Sequence, residues 1–437
     1  MKLAKLALAL VAAAAVARAA DLPPDKWQIV QCGSALLVPG QTPHGETTLV
    51  IHDGLIAEVL NGIATPEQVM QGKIGTPEVV DLRDKFVLPG LVDLHVHLTS
   101  EYSADARLRR VTESDADVAL RGAMFARRTL EAGFTTVRDL GGSEAVFALR
   151  DAIANGTVPG PRMFVAGFPL TITGGHGDRT SGYRQDLFDP PGPYQGVADG
   201  PYAARAAVRA QVKLGADWIK IHATGGVLDV VTSGTDQQFK DDELAEIVST
   251  AHMLGRKVAA HAHGARGINA ALRAGVDTIE HGTFLDAESI ELFKKTGAWL
   301  VPTIVAGKTV EERAKIPGYY PPPVADKARQ VGPKLQDALR RALAGGVKIA
   351  FGTDAGVYPH GENAREFAYM VDAGMTPMAA IEAATTSASI VLGLEHEIGS
   401  LEVGKRADLI ATRRNPLVDV LELQRVVYVM KAGASVK

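Results

Sequence analysis

Short apolar runs of Val, Ile, Leu and Ala recur through the middle of the chain, each entered from a helical stretch and left through Gly or Thr. LVDLHVHL (91–98), WIKIHA (218–223), KVAAHA (257–262), TIEHG (278–282) and IAFGTDAG (349–356) are of this kind. Their length and β-branched content predict buried strands. TTVRDL (135–140), RMFVAG (162–167) and WLVPT (299–303) bring the strand count to eight. Between them, ALRGAMFARRTLEAG and DELAEIVSTAHMLG carry apolar residues at three- and four-residue spacing and stop at a glycine, as amphipathic helices do. Eight strands alternating with helices from Pro89 to about Leu394 predict an α/β fold, a (β/α)8 TIM barrel.

The two ends of the chain read differently. WQIVQCGSALLVPG, TTLVIHDGLIAEVL and EVVDLRDKFVLPG alternate apolar and polar residues between Gly, Pro and Asp turns, and so do GSLEVGKRADLIATRR and VVYVMKAGASV near the C-terminus. Together they predict one small β-sandwich built from residues 20–88 and 396–437, with the barrel, residues 89–395, inserted between its halves. Two connections, 171–201 and 307–323, read as long and irregular. Loops of that length inside a domain are usually functional or disordered, and both follow barrel strands, so they are expected to overhang the mouth.

At 437 residues and 46% hydrophobic content the chain can bury more than one core. A net charge of −4 gives no electrostatic footprint for nucleic acid. The single cysteine, Cys32, excludes an internal disulfide framework and reads as an inert small hydrophobe. Lys2 and Lys5, the apolar LALALVAAAAV and Ala17-Arg18-Ala19 have the order of a cleavable signal, residues 1–19. Export to a periplasm or beyond is expected. No other stretch is long and apolar enough to span a bilayer, so no membrane partner is expected once the signal is removed.

The predicted strands end in His95, His97, Lys220, His261, His281 and Asp354. Ligands at the C-terminal ends of parallel strands are the arrangement of a barrel active site. Asp93, His95 and His97 share a strand face, and two imidazoles at that spacing can reach one metal ion. A lone H-x-H is a weak signal; its place after PGLVDL at the start of the β/α region strengthens it. Asp93 is expected to fix an imidazole tautomer rather than to ligate. Lys220 alternates with Ile219 and Ile221, which puts it inside the barrel, where burial depresses an amine's pKa. A neutral amine can add carbon dioxide, and the resulting N6-carboxylysine has two oxygens able to bridge two divalent ions. The bland alternative is a structural salt bridge. His261 and His263 both end KVAAHAH, and strand parity does not separate them. Asp354 can ligate and also accept a proton from an attacking water. His176, between glycines in TGGHGD, and His222, His263 and His360 are candidate substrate contacts, while His44, His52, His252 and His396 sit in turns or on helices and read as bland. If the substrate carries a carboxylate, Arg179, Lys308, Tyr319 and Tyr320 are candidate partners at the mouth.

Taken together, FVLPGLVDLHVH, IKIHATGG, VAAHAHG, TIEHGT, FGTDAG and IGSLEVGKRADLI resemble the amidohydrolase superfamily over nearly the whole mature chain. TITGGHGD, and VAAHAHG with IEHGT, are similar to its branch of prolidases, carboxypeptidase-like dipeptidases and ochratoxin-hydrolysing enzymes. The resemblance implies a binuclear zinc centre that needs carbon dioxide or bicarbonate. His95 and His97 would serve the buried ion, His261 and His281 the exposed one, carboxylated Lys220 would bridge them, and Asp354 would be ligand and general base to a metal-bridging hydroxide. It favours His261 over His263, and it implies a homo-oligomer, up to an octamer.

The implied substrate is a small amide whose cleavage releases an L-amino acid: an N-acyl amino acid, an Xaa-Pro or Xaa-Phe dipeptide, or ochratoxin A, giving ochratoxin alpha and phenylalanine. An imidazolonepropionase-like ring-opening hydrolase, a deaminase or a lactonase is the competing enzyme class. Ring hydrolases and deaminases of this type usually manage with one metal and no bridging lysine, so Lys220 argues against them. A catalytically dead scaffold would have lost ligands, and every ligand position here is filled.

Overall fold

The computed structural model describes residues 26–103, 105–230 and 234–437; the predicted signal, residues 1–19, lies outside them. Four strands come first: β1 (Trp27–Ala35), β2 (Thr47–His52), β3 (Leu55–Asn61) and β4 (Glu78–Pro89). Eight follow: β5 (Leu91–Val96), β6 (Phe134–Asp139), β7 (Arg162–Val165), β8 (Trp218–His222), β9 (Lys257–Ala262), β10 (Thr278–His281), β11 (Trp299–Val301) and β12 (Lys348–Ile349). Three come last: β13 (Leu409–Thr412), β14 (Tyr428–Lys431) and β15 (Ala434–Ser435).

The first four and last three strands form one seven-stranded sheet in the order β15-β14-β13-β4-β1-β2-β3. Antiparallel pairing of β13 with β4, Leu409 opposite Pro89, ties the two ends of the chain together directly before β5 begins. Val30, Cys32, Leu49, Ile51, Leu82, Val87, Leu409 and Met430 form its buried core. Burial pushes the Cys32 thiol up to about 12, which leaves it an unreactive hydrophobe. Gly90, between β4 and β5, is required by close packing: a Cβ there would strike the Thr135 side chain.

The eight middle strands form a TIM barrel from two parallel arcs, β5-β6-β7 and β12-β11-β10-β9-β8. Isolated parallel bridges join the arcs at Leu170 with Ile221 and at Val96 with Ala355. At the first, Leu170 N–H donates to Lys220 O (2.7 Å) and His222 N–H to Leu170 O (2.9 Å). At the second, Asp354 N–H donates to His95 O (2.7 Å) and His97 N–H to Ala355 O (2.8 Å). Beyond Ile349 the predicted strand IAFGTDAG runs beside β5 through single bonds rather than a ladder, and Asp354 within it takes a positive φ (60°). Parity holds on β8, β9 and β10 but not along β5, where Val92 and Leu94 take the inward face and a register shift between Asp93 and Val96 separates Asp93 from the face that His95 shares with Glu280. Val92, Leu94, Trp218, Ala259, Val301 and Ala350 pack together inside the barrel, while Ile219, Ile221, Val258, Ala260 and Ile279 join the helix-facing core.

The connection 171–201 has only two short 3₁₀ turns, Gln185–Leu187 and Pro193–Gln195. The connection 307–323 is not the irregular loop expected. Ile304–Arg313 and Pro322–Val331 are helices, which leaves 314–321 irregular. Ile304, Val305, Ala306, Thr309 and Val310 are buried, and this packing stabilises a helix that propensity alone left unmarked. No helix among the described residues is long and apolar enough to cross a membrane.

Candidate active site

The ligand-type side chains converge at one end of the barrel. Asp354 Oδ1 lies 3.2 Å from His97 Nε2 and 3.5 Å from His95 Nε2. The His281 ring is centred 5.2 Å from His95, 4.7 Å from His261 and 4.8 Å from His263. His95, His281 and Asp354 each offer a ligand atom within 4.8 Å of the others, and so do His261, His263 and His281. The two sets meet at His281. Geometry, like parity, leaves both His261 and His263 in the cluster. Lys220 is 2% exposed, and its Nζ has no hydrogen-bond partner.

Backbone strain marks the same place. Besides Asp53 and Ala432 in turns of the seven-stranded sheet, the left-handed non-glycine residues among those described are His281 (φ 71°), which ends β10, and Thr303 (φ 50°) and Asp354 (φ 60°), in the segments that follow β11 and β12. Such conformations persist only where surrounding structure holds them, and they concentrate at functional sites.

The electrostatics suit cation binding. Burial, then the neighbouring imidazoles, hold His261 and His281 well below the ordinary histidine value. Burial and Lys220 push His95 down to about 4. Neutral imidazole is the ligating form. Burial opposes charge on His97, but the Asp354 carboxylate outweighs it and raises the pKa. Burial would raise Asp354; His95, His97 and Lys220 reverse that and hold it ionised below the usual carboxylate range. Desolvation lowers the Lys220 amine to about 8.

A buried polar layer holds the imidazoles. Glu280 Oε2 meets His95 Nδ1 at 2.9 Å, while Glu280 Oε1 accepts from Arg138 Nη2 at 2.8 Å. Arg138 is fully buried, donates to Leu94 O (2.7 Å), and stacks over Trp218 at 4.4 Å. Thr303 Oγ1 lies 2.7 Å from His281 Nδ1, Thr283 Oγ1 lies 2.7 Å from His263 Nδ1, and Gly141 O lies 3.0 Å from His97 Nδ1. Asp93 does not take the role expected of it. Its carboxylate accepts from the backbone N–H groups of His95 (3.0 Å) and Thr353 (3.1 Å), from Thr353 Oγ1 (2.6 Å) and from Asn363 Nδ2 (2.8 Å). It ties β5 to the segment carrying Asp354, and Glu280 is the carboxylate on an imidazole. The signal that singles out Lys220 applies equally to Arg138 and Glu280, charged residues inside buried strands.

The loop residues divide. His176 Nδ1 lies 2.9 Å from Asp229 Oδ2, and Lys327 Nζ donates to Asp229 Oδ1 at 3.1 Å. The His176 ring stacks on His261 at 4.6 Å and meets His222 edge-on at 4.7 Å, which brings this loop residue onto the cluster. The glycines around it serve that packing: a Cβ on Gly177 would strike His222, and one on Gly226 would strike His176 itself. His222 is buried, with Nδ1 unpartnered. His360 instead stacks on Phe125 at 4.6 Å and sets Nε2 2.8 Å from Ser100 O, a packing role. The Arg179 guanidinium lies over Phe168 at 5.1 Å without an ion pair among the described residues, and burial, with Arg110, lowers it to about 10. Lys308 is half-buried on the helix Ile304–Arg313. Tyr319 and Tyr320 pack with Tyr102, ring centres 6.1 and 5.4 Å from it, and Arg313 lies over Tyr319 at 5.5 Å.

Paired imidazoles, a carboxylate and an orphaned buried amine at the mouth of a parallel barrel are the donors that a cationic centre needs. Residues 86–436 match the model of the amidohydrolase family, and the chain belongs to that family, as a hydrolase of amide bonds. It is similar to the ochratoxinase of Aspergillus niger, 34% identical over a 439-residue alignment covering 94% of this chain and 87% of that one. Among solved structures, a Xaa-Pro dipeptidase with methionine bound in its active site superposes with a TM-score of 0.89 at 43% identity, covering 94% of this chain and 99% of that one. A prolidase complexed with N-methylphosphonate-L-proline gives 0.85 at 31% identity, covering 94% of this chain and all of that one (100%).

Proposed function

We propose that this chain is an exported, zinc-dependent amidohydrolase that releases an L-amino acid from an N-acyl amino acid, an Xaa-Pro or Xaa-Phe dipeptide, or ochratoxin A. The observation that carries the metal part is Lys220, a buried amine with no partner beside the His95, His97, His261, His281 and Asp354 cluster. An unpartnered buried ammonium is costly, and lowering to about 8 leaves a share of neutral amine near physiological pH. That amine attacks carbon dioxide and loses a proton, giving a carbamate whose two oxygens suit two ions. His95 and His97 would hold one ion and His261 and His281 the other, with Asp354 as a further ligand, while His263, held by Thr283, is a candidate substrate contact.

Two bound divalent ions would supply Lewis acidity and a water acidic enough to deprotonate near neutral pH. Asp354, held ionised by its imidazole and lysine neighbours, takes the proton of the attacking water and passes it to the departing amine nitrogen. Arg138 and Glu280 fix the His95 ring, and Asp229 fixes His176 where it can meet the substrate. Tyr102, Tyr319 and Tyr320 offer an aromatic wall to an apolar leaving side chain. The relatives named for ochratoxin and for Xaa-Pro dipeptides support leaving groups that carry a carboxylate, for which Arg179 and Lys308 are candidate donors. Export through residues 1–19 and assembly into homo-oligomers belong to the same proposal.

The test is a release assay over N-acyl-Phe, N-acyl-Leu, Xaa-Pro, Xaa-Phe and ochratoxin A, each with its carboxylate free or esterified. Free acids of Phe, Leu or Pro should be cleaved. Blocking the carboxylate should cost roughly 2–4 kcal/mol in kcat/KM if a buried cation reads it. Equal turnover of blocked and free forms would point instead to a lactonase or a ring-opening hydrolase.

A further inference from the structure

Thr303 occupies the N-cap of the helix Ile304–Arg313. Threonine is a favoured residue there because its hydroxyl normally accepts a bond from the first turn of its own helix. Here it makes no such bond. The backbone is turned into the left-handed region (φ 50°, ψ 42°), and Oγ1 points instead at His281 Nδ1, 2.7 Å away. The cap comes from elsewhere. Glu366, on the helix Arg365–Asp372, accepts from Ile304 N–H through Oε1 (2.8 Å) and from Val305 N–H through Oε2 (2.7 Å). Glu366 and Thr303 are fully buried, and His281 nearly so.

Burial outweighs the two backbone bonds and pushes the Glu366 carboxyl up to about 8, so holding it there is costly, and a left-handed threonine is strained unless it is held. Because Glu366 satisfies the helix N-terminus, the Thr303 hydroxyl is released from capping and can orient an imidazole on the neighbouring strand. We infer that Glu366 is a positioning residue for His281, acting through Thr303 rather than touching the reacting atoms. This rests on His281 being a metal ligand, as proposed above. A plain helix cap would matter to folding alone; a positioning residue also governs how firmly His281 holds its ion, and partners of ligating histidines are worth about 10–100-fold in metal affinity or activity.

The experiment measures the rate at which a chromophoric chelator strips zinc from the loaded full-length protein and from Thr303→Val, Glu366→Gln and the double variant. Valine keeps the β-branched shape and removes the hydroxyl; glutamine sets an NH2 against one of the two backbone N–H groups. Each single variant should release zinc about 10–100-fold faster, the double variant no faster than the quicker single one, and Thr303→Ser should restore slow release. If Glu366→Gln does not fold, Glu366→Asp, one methylene too short to reach both N–H groups, takes its place. Wild-type release from either single variant, or multiplying effects in the double variant, would overturn the inference. A wild-type chain that takes up no zinc at all would overturn the metal assignment itself, and this inference with it.

Discussion

Glu280 Oε2 lies 2.9 Å from His95 Nδ1, and neither side chain has any appreciable exposure. The other Glu280 oxygen is bonded to Arg138, equally buried, so an imidazole at the barrel mouth rests on an ion pair sealed inside the barrel. Removing one partner of such a pair strands the other charge. Glu280→Gln in the metal-free protein is expected to lower stability by about 3–5 kcal/mol, read from urea denaturation, and adding Arg138→Met should return part of that loss. A double variant weaker than Glu280→Gln by the full cost of Arg138→Met alone would show that the two charges are not coupled.

Lys220 makes the stability of the metal-free protein depend on pH. Burial lowers its amine from 10.5 to about 8, so between those values the unfolded chain holds a proton that the folded chain does not. Stability should therefore rise with pH across that window, by about 3 kcal/mol at most, and Lys220 should contribute no slope below it. Denaturation midpoints from pH 7.5 to 10.5 in bicarbonate-free buffer, compared with Lys220→Met, check this. Parallel profiles for the two proteins would place the charged amine in a more polar setting than the structure gives it.

The same residue is tested chemically by replacement. Lys220→Ala should lose metal and most activity. Lys220→Glu returns one carboxylate and should recover part of the binding, and short-chain carboxylic acids should rescue the alanine variant by filling the same gap. An alanine variant with unaltered kinetics and metal content would make the lysine structural.

Asp354→Asn keeps an oxygen near His95 and His97 but cannot take a proton. The loss should fall on kcat more than on KM, with general-base contributions of about 10²–10⁴ setting its scale. An asparagine variant within a few-fold of the wild type would remove Asp354 from proton transfer.

Much of this fold is legible in the chain because strand parity is a local property. Lys220 stands out among Trp218, Ile219 and Ile221 without any knowledge of its neighbours, and the same alternation separates interior from helix-facing residues on β8, β9 and β10. On β5, however, a register shift that no local pattern marks puts Val92 and Leu94 inside and turns Asp93 away. What parity cannot convey is contact between distant segments. Asp93 and Glu280 are both carboxylates close to ligand histidines, yet Asp93 turns to Thr353 and Asn363, and Glu280 alone reaches an imidazole, that of His95 on another strand. The helix Ile304–Arg313 was hidden for a similar reason: its cap is Glu366, about sixty residues away, and its own N-cap threonine is turned to His281. His360 follows Asp354 by six residues, which makes it a candidate substrate contact in the sequence, and only the folded chain brings Phe125 and Ser100 against it.

The most direct test is the metal content of active protein. The chain should be stripped with a strong chelator, which should abolish amide hydrolysis, then reconstituted with zinc in the presence of bicarbonate and assayed alongside elemental analysis. Activity should return as the stoichiometry approaches two zinc ions per chain, and reconstitution without bicarbonate should be slower and less complete. Full activity at one ion per chain, with no dependence on bicarbonate, would contradict a bridged pair built around Lys220.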